Sequence, residues 1–156
     1  MPVFADTSAL FAVADKEEER HSRAMSIWTR LHSENEGLVT SNYIVVESSA
    51  LIARRLGLEA ERDFHSIIVP VLLVVCIDAA VHRRAVTARL ASDQRDLSLV
   101  DCVSFEVMKD LRIDKAFAFD RHFAQPGFQT ALQAVVFLVA RAYSGAEHFR
   151  TSHLSG

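Results

Sequence analysis

Val3-Phe4-Ala5-Asp6-Thr7-Ser8-Ala9-Leu10 is the stretch on which the fold turns. Three apolar residues end in a carboxylate, and hydroxyl residues follow. A continuously apolar run, with no alternation, reads as a buried strand. Thr7 or Ser8 offers the N-cap of a helix carrying Leu10, Phe11 and Val13. The aspartate between strand and helix is ambiguous at this level. It can cap the helix, or it can carry chemistry at the strand's carboxyl end.

Further along, Glu17-Glu18-Glu19 reads as the acidic opening of a second helix, with Ala24, Ile27, Trp28 and Leu31 at helical spacing and Gly37 at or beyond its end. Residues 38–40 read as a second strand. Ser41 or Asn42 then caps a helix to about Leu56, stopped by Gly57. Residues 59–68 suggest another helix, ended by Pro70. The β-branched run 71–77 reads as a central strand. Asp78 caps a helix to about Ala91, and Ser98 precedes one over 99–111. Residues 115–119 form a fourth apolar run that again ends in an aspartate, Asp120. A loop over 121–127 and an apolar helix over 129–143 complete the chain, followed by a polar tail. Strands alternating with helices imply one α/β domain, a parallel sheet covered by helices on both faces. Its expected extent is 1–128, with 129–156 as an extension of the same domain. Ligand sites in such sheets lie at the strands' carboxyl ends. Asp6 and Asp120 would therefore emerge on one edge.

Two further acids stand out. Asp101 sits in the first turn of its helix, where dipole stabilisation worth ~0.3–1 kcal/mol is the ordinary explanation. Glu47 lies inside the largely apolar run 44–52, with Tyr43 and Leu51 four residues away on either side and no cation to pair with. A buried glutamate needs a partner. Two carboxylates ~4 Å apart repel by roughly 4 kcal/mol at an effective dielectric of 20, so gathering several requires a cation. Mg²⁺ or Mn²⁺ with oxygen ligands is the natural occupant, and such a metal is what phosphodiester hydrolysis uses.

These segments resemble PIN-domain proteins, in particular the ribonuclease toxins of VapBC-type toxin–antitoxin pairs. The resemblance runs through residues 3–10, then Thr40-Ser41-Asn42 to Val46-Glu47, then residues 96–105, and last Ala118-Phe119-Asp120-Arg121-His122-Phe123. It implies a metal-dependent endoribonuclease acting on RNA, with Asp6, Glu47, Asp101 and Asp120 as catalytic and metal-holding acids. Ser8 then matches a small polar residue that positions ligands or water. Ser98 matches the hydroxyl three residues before the third acid. The resemblance also implies an antitoxin partner and a homodimer. Where many relatives carry a further acid, this chain has His122, which either contacts substrate or packs and bonds locally. The chain also continues well past Phe128. A non-toxin RNA-processing nuclease and a non-catalytic RNA- or protein-binding scaffold are the alternatives within the resemblance. A haloacid-dehalogenase-like phosphatase would need an aspartate where Ser8 stands.

The bulk properties are compatible with this. Half of the 156 residues are hydrophobic and 24% are charged, which suits a globular domain rather than a disordered chain. The formal net charge of −3 argues mildly against a nucleic-acid ligand. Two divalent cations among the acids would bring it to about +1, with the positive charge at the reaction site. Arg54-Arg55, Arg83-Arg84, Lys109, Arg112, Lys115 and Arg121 are candidate phosphate contacts. Most belong to ordinary solvated faces, and Arg121 is favoured because it adjoins Asp120. Cys76 and Cys102 read as buried small hydrophobes. The first residues have no signal-peptide character, and the apolar stretches are too short to span a membrane. The expected setting is the cytoplasm.

Overall fold

The computed structural model describes residues 1–124. The chain order is β1 (Val3–Ala5), α1 (Thr7–Ala14), α2 (His21–Ser33), β2 (Leu38–Ser41), α3 (Asn42–Leu56), α4 (Leu58–Asp63), β3 (Leu73–Val75), α5 (Ala79–Ala91), α6 (Leu99–Asp110) and β4 (Ala116–Phe117). The four strands form one parallel sheet in the order β3-β2-β1-β4, flanked by the six helices. β1 and β2 are buried along their whole length, as inner strands of a covered parallel sheet are; in β2 the buried Thr40 satisfies its hydroxyl by donating to the Ala5 carbonyl at 2.9 Å. The core gathers Phe4, Leu10, Ile44, Ile52, Phe64, Val103 and Phe123, all fully buried. Among the described residues, no helix is long and apolar enough to cross a membrane.

Strand order locates the site. The chain builds outward from β1 to β2 to β3, then returns across α5 and α6 to place β4 on the other side of β1. The order therefore reverses between β1 and β4. At such a reversal the connections leave in opposite directions and open a crevice beyond the strands' carboxyl ends. Asp6 follows β1 and Asp120 lies just beyond β4.

Several boundaries differ from the sequence expectation. The cap of α1 is Asp6 itself, not Thr7 or Ser8: its Oδ2 accepts from the Ser8 N–H at 3.0 Å. Helix α2 opens at His21, after the acidic triplet. The Asp15 side chain accepts from the Glu17 N–H at 3.0 Å, a local turn that competes with helix. Asn35, with φ 53°, turns the chain after α2, and Gly57, with φ 90°, closes α3. The helical path beyond α4 runs through a wide π turn, Phe64–Ile68, and a 3₁₀ turn, Val69–Val71, that contains Pro70. Strand β3 is shorter than expected and lies at the sheet edge, not the centre; Leu73 is 66% exposed. β-Branched composition selects the pleated conformation without saying how many neighbours a strand has. Cys76, just past this edge strand, is exposed rather than buried, whereas Cys102 is buried. The expected helix over 129–143 lies outside the described residues.

Edge and centre should separate in stability. Leu73→Ser should cost under about 1 kcal/mol in urea unfolding. Phe4→Ala, at the centre of β1, should cost about 3–5 kcal/mol. Equal costs would contradict the strand order.

Candidate active site

The crevice beyond β1 and β4 is an open cleft of about 480 Å³. Asp6, Glu47, Asp101 and Asp120 all line it, together with Thr7, Ser8, Arg54, Asp96 and Ser98. Four acids drawn from four separate segments thus meet in one place. Each is held by an identifiable local device.

Asp6 is 4% exposed. Its Oδ2 accepts from both the N–H and the hydroxyl of Ser8, at 3.0 and 2.6 Å. The Ser8 hydroxyl oxygen in turn accepts from the Phe119 N–H at 2.9 Å. One side chain therefore ties the end of β1 to the segment that leads into Asp120. The next residue, Thr7, donates its hydroxyl to Glu47 Oε2 at 2.5 Å. That bond fixes a half-buried glutamate in the second turn of α3, next to the buried stripe Ile44, Ser48 and Ile52. The partner expected for Glu47 is thus, in part, a neutral hydroxyl from the adjacent helix. Its other oxygen has no hydrogen bond among the described residues.

Asp101 and Ser98 form a capping box at the start of α6. The Asp101 N–H donates to Ser98 Oγ at 3.0 Å, and the Ser98 N–H donates to Asp101 Oδ2 at 2.7 Å. Asp101 therefore has the ordinary capping role and a place in the cleft at once. Asp120 Oδ1 accepts from the His122 N–H at 2.8 Å, which winds the 3₁₀ turn Arg121–Ala124. His122 is 4% exposed. Its Nδ1 lies 2.7 Å from Asp120 Oδ1 and 4.0 Å from Asp101 Oδ2. One ligand atom from each of Asp101, Asp120 and His122 lies within 4.8 Å of the others. Asp6 and Glu47 line the same cleft outside that tightest group.

One acid escaped the sequence reading, and the basic candidates take different places. Asp96 is a fifth acid on the cleft wall, paired with Arg121 and 3.3 Å from His122 Nε2. Its only sequence signal was its place at the head of the segment 96–105. Arg121 is not among the residues lining the cleft: its side chain is 73% exposed and turned to Asp96. The basic residue on the wall is Arg54, another of the candidate phosphate contacts, exposed and without an ion pair among the described residues.

The donor set fits a hard divalent cation. Oxygen ligands dominate the cleft, and the acids repel each other. Burial is the largest influence on Asp6 and pushes its carboxyl up. The two Ser8 bonds pull it down, and the charges of Asp101 and Asp120 raise it again; the net result is a pKa of about 6 against an ordinary 3.8. A cation among the acids would offset both the burial and the repulsion.

The chain belongs to the PIN-domain family: the model of the PIN domain matches residues 3–129. Among curated proteins it is similar to the 23S rRNA-specific endonuclease VapC20 of Mycobacterium tuberculosis. It is 32% identical to that protein over 127 residues, which cover 81% of this chain and 95% of the relative. The crystal structure of M. tuberculosis VapC20, described as a sarcin-ricin loop cleaving toxin, superposes with a TM-score of 0.73 at 31% identity, over 81% of this chain and 95% of that one.

The raised Asp6 has a consequence for stability. Its folded pKa exceeds its unfolded one, so its contribution to stability is full below about pH 4 and is lost as pH rises through about 6. Above pH 7 the ionised carboxylate costs the metal-free protein on the order of 2–3 kcal/mol. Asp6→Asn keeps an acceptor for the helix cap. In EDTA its melting temperature should exceed wild type by several degrees near pH 7.5, and the gap should close near pH 4. A gap independent of pH would show that Asp6 carries no such charge cost.

Proposed function

We propose that this protein is a metal-dependent endoribonuclease that hydrolyses RNA phosphodiester bonds, and that it is the toxin of a toxin–antitoxin pair. The observation that carries the chemistry is the meeting of Asp6, Glu47, Asp101 and Asp120 in one open cleft at the reversal of strand order. The similarity to VapC20 supports RNA as the substrate and the toxin role.

Asp6, Asp101 and Asp120 would hold the cation, with Glu47 facing them from α3. When bound, Mg²⁺ or Mn²⁺ supplies Lewis-acid polarisation of the phosphodiester and stabilises charge on the leaving oxygen. The chain's own contribution is position. Ser8 orients Asp6, Thr7 orients Glu47, and the Ser98 box orients Asp101. Hydrogen bonds of this kind set how rigidly the ligands are presented. Arg54 stands beside the acids on the cleft wall and suits a backbone phosphate flanking the scissile bond. An open cleft, rather than an enclosed pocket, suits a long-chain substrate. The similarity to VapC20, a 23S rRNA-specific endonuclease, makes 23S rRNA the first substrate to try. An antitoxin that covers the acids, and a homodimer, complete the reading.

The test is cleavage of an RNA pool containing ribosomal RNA, with Mg²⁺, with Mn²⁺ and with EDTA, beside Asp101→Asn. Cutting should require metal and fall to background in the variant, because asparagine keeps the capping acceptor and loses the charge. Cutting at wild-type rate by the variant would remove Asp101 from the mechanism. Metal binding without cutting would favour a binding scaffold.

Arg54→Ala should weaken RNA binding and reduce the slope of log affinity against log salt by about 1. Arg121→Ala should weaken binding more at low salt than at high salt. An unchanged slope in filter binding would place Arg54 outside the RNA path, and an affinity loss that ignores salt would do the same for Arg121.

A further inference from the structure

His122 is the buried group that the carboxylate account leaves unexplained. It is 4% exposed, and neither ring nitrogen makes a properly directed hydrogen bond among the described residues. Buried polar atoms without partners are uncommon in native proteins, and an absent ion is one physical reason for them. The placement of the two nitrogens is informative. Nδ1 faces the acids, 2.7 Å from Asp120 Oδ1 and 4.0 Å from Asp101 Oδ2. Nε2 faces the other way, 3.3 Å from Asp96 Oδ2. Metal-bound histidines commonly offer one nitrogen to the ion and the other N–H to a carboxylate, which sets the tautomer and the ring orientation. Asp96 is the carboxylate nearest Nε2, at 3.3 Å and not aligned for a hydrogen bond, and it is paired with Arg121.

We propose that His122 supplies a nitrogen ligand, through Nδ1, to the divalent cation held by Asp101 and Asp120, with Asp96 as its orienting partner. The inference rests on the cation reading of the cleft given above. Its consequence is selectivity. Mg²⁺ is served by carboxylates and water, whereas an imidazole nitrogen favours first-row transition ions. A mixed oxygen and nitrogen set therefore prefers Mn²⁺ to Mg²⁺.

The decisive readout does not depend on RNA cleavage. Mn²⁺ bound to the wild-type protein should show, by pulsed electron paramagnetic resonance, the modulation of a directly bonded ¹⁴N, replaced by the ¹⁵N pattern when histidine is labelled. His122→Asn should lose that modulation. Its Mn²⁺ affinity should fall by about 10–100-fold while its Mg²⁺ affinity changes little. Asp96→Asn should retain the nitrogen signal with weaker Mn²⁺ binding. Circular dichroism and melting confirm that each variant is folded, and the wild-type nitrogen signal needs no variant at all. Mn²⁺ bound without nitrogen modulation, or modulation that survives in His122→Asn, overturns the proposal and leaves the carboxylate site standing. Absence of Mn²⁺ binding, or binding that Asp101→Asn leaves unchanged, overturns both.

Discussion

The parallel pairing of β1 with β4 is the constraint on which the site depends. Phe4 N–H donates to Lys115 C=O at 2.9 Å, and Asp6 N–H donates to Phe117 C=O at 3.0 Å. The ladder ends there because Asp6 turns away to cap α1. The next amide in line, Phe119 N–H, finds the Ser8 hydroxyl instead of a backbone carbonyl. A hydroxyl thus replaces a ladder bond where two strands part. That substitution brings residues 6 and 120, which are far apart in sequence, to the same cleft. Ser8 is therefore as much a part of the sheet as of the site.

The same arrangement gathers negative charge. Asp6 is buried, and Asp101 and Asp120 add to the cost of ionising it. Helix caps and hydroxyl bonds hold the acids in place but do not neutralise them. The chain folds with an electrostatic deficit localised in one cleft, and a cation is the simplest remedy. Local strain of this kind, retained by an otherwise well-packed domain, is characteristic of functional sites. The surrounding core, with Phe4, Ile44, Ile52 and Val103 fully buried, supplies the stability that tolerates it.

Local chemistry and site chemistry coincide at several residues. Asp6 caps α1 and Asp101 completes a capping box, so the ordinary structural explanation of each is correct and incomplete. His122 bonds Asp120 through its backbone N–H, as a locally bonded residue would, yet its ring is turned among the acids. Glu47 needed a partner in the sequence reading, and part of the answer is Thr7. Structural and functional readings of one side chain are not exclusive when a helix N-terminus and a strand end meet.

The apolar run before Asp6, the caps at Ser41, Asp78 and Ser98, and the stop at Gly57 are legible in the chain itself. Each depends on contacts within a few residues, and local backbone preferences decide them. The alternation of strand and helix likewise implies a parallel sheet, and with it a site at the carboxyl ends. Strand order is different in kind. That β3 stands at the edge and β4 beside β1 follows from packing of whole helices on the sheet, not from any residue in 71–77 or 115–119. The partners of the site residues belong to this second class as well. Asp96 against His122, Thr7 against Glu47 and Ser8 against Phe119 join positions 26, 40 and 111 residues apart. Short-range preference can place an acid at the end of a strand, but only the closed tertiary structure determines what that acid faces.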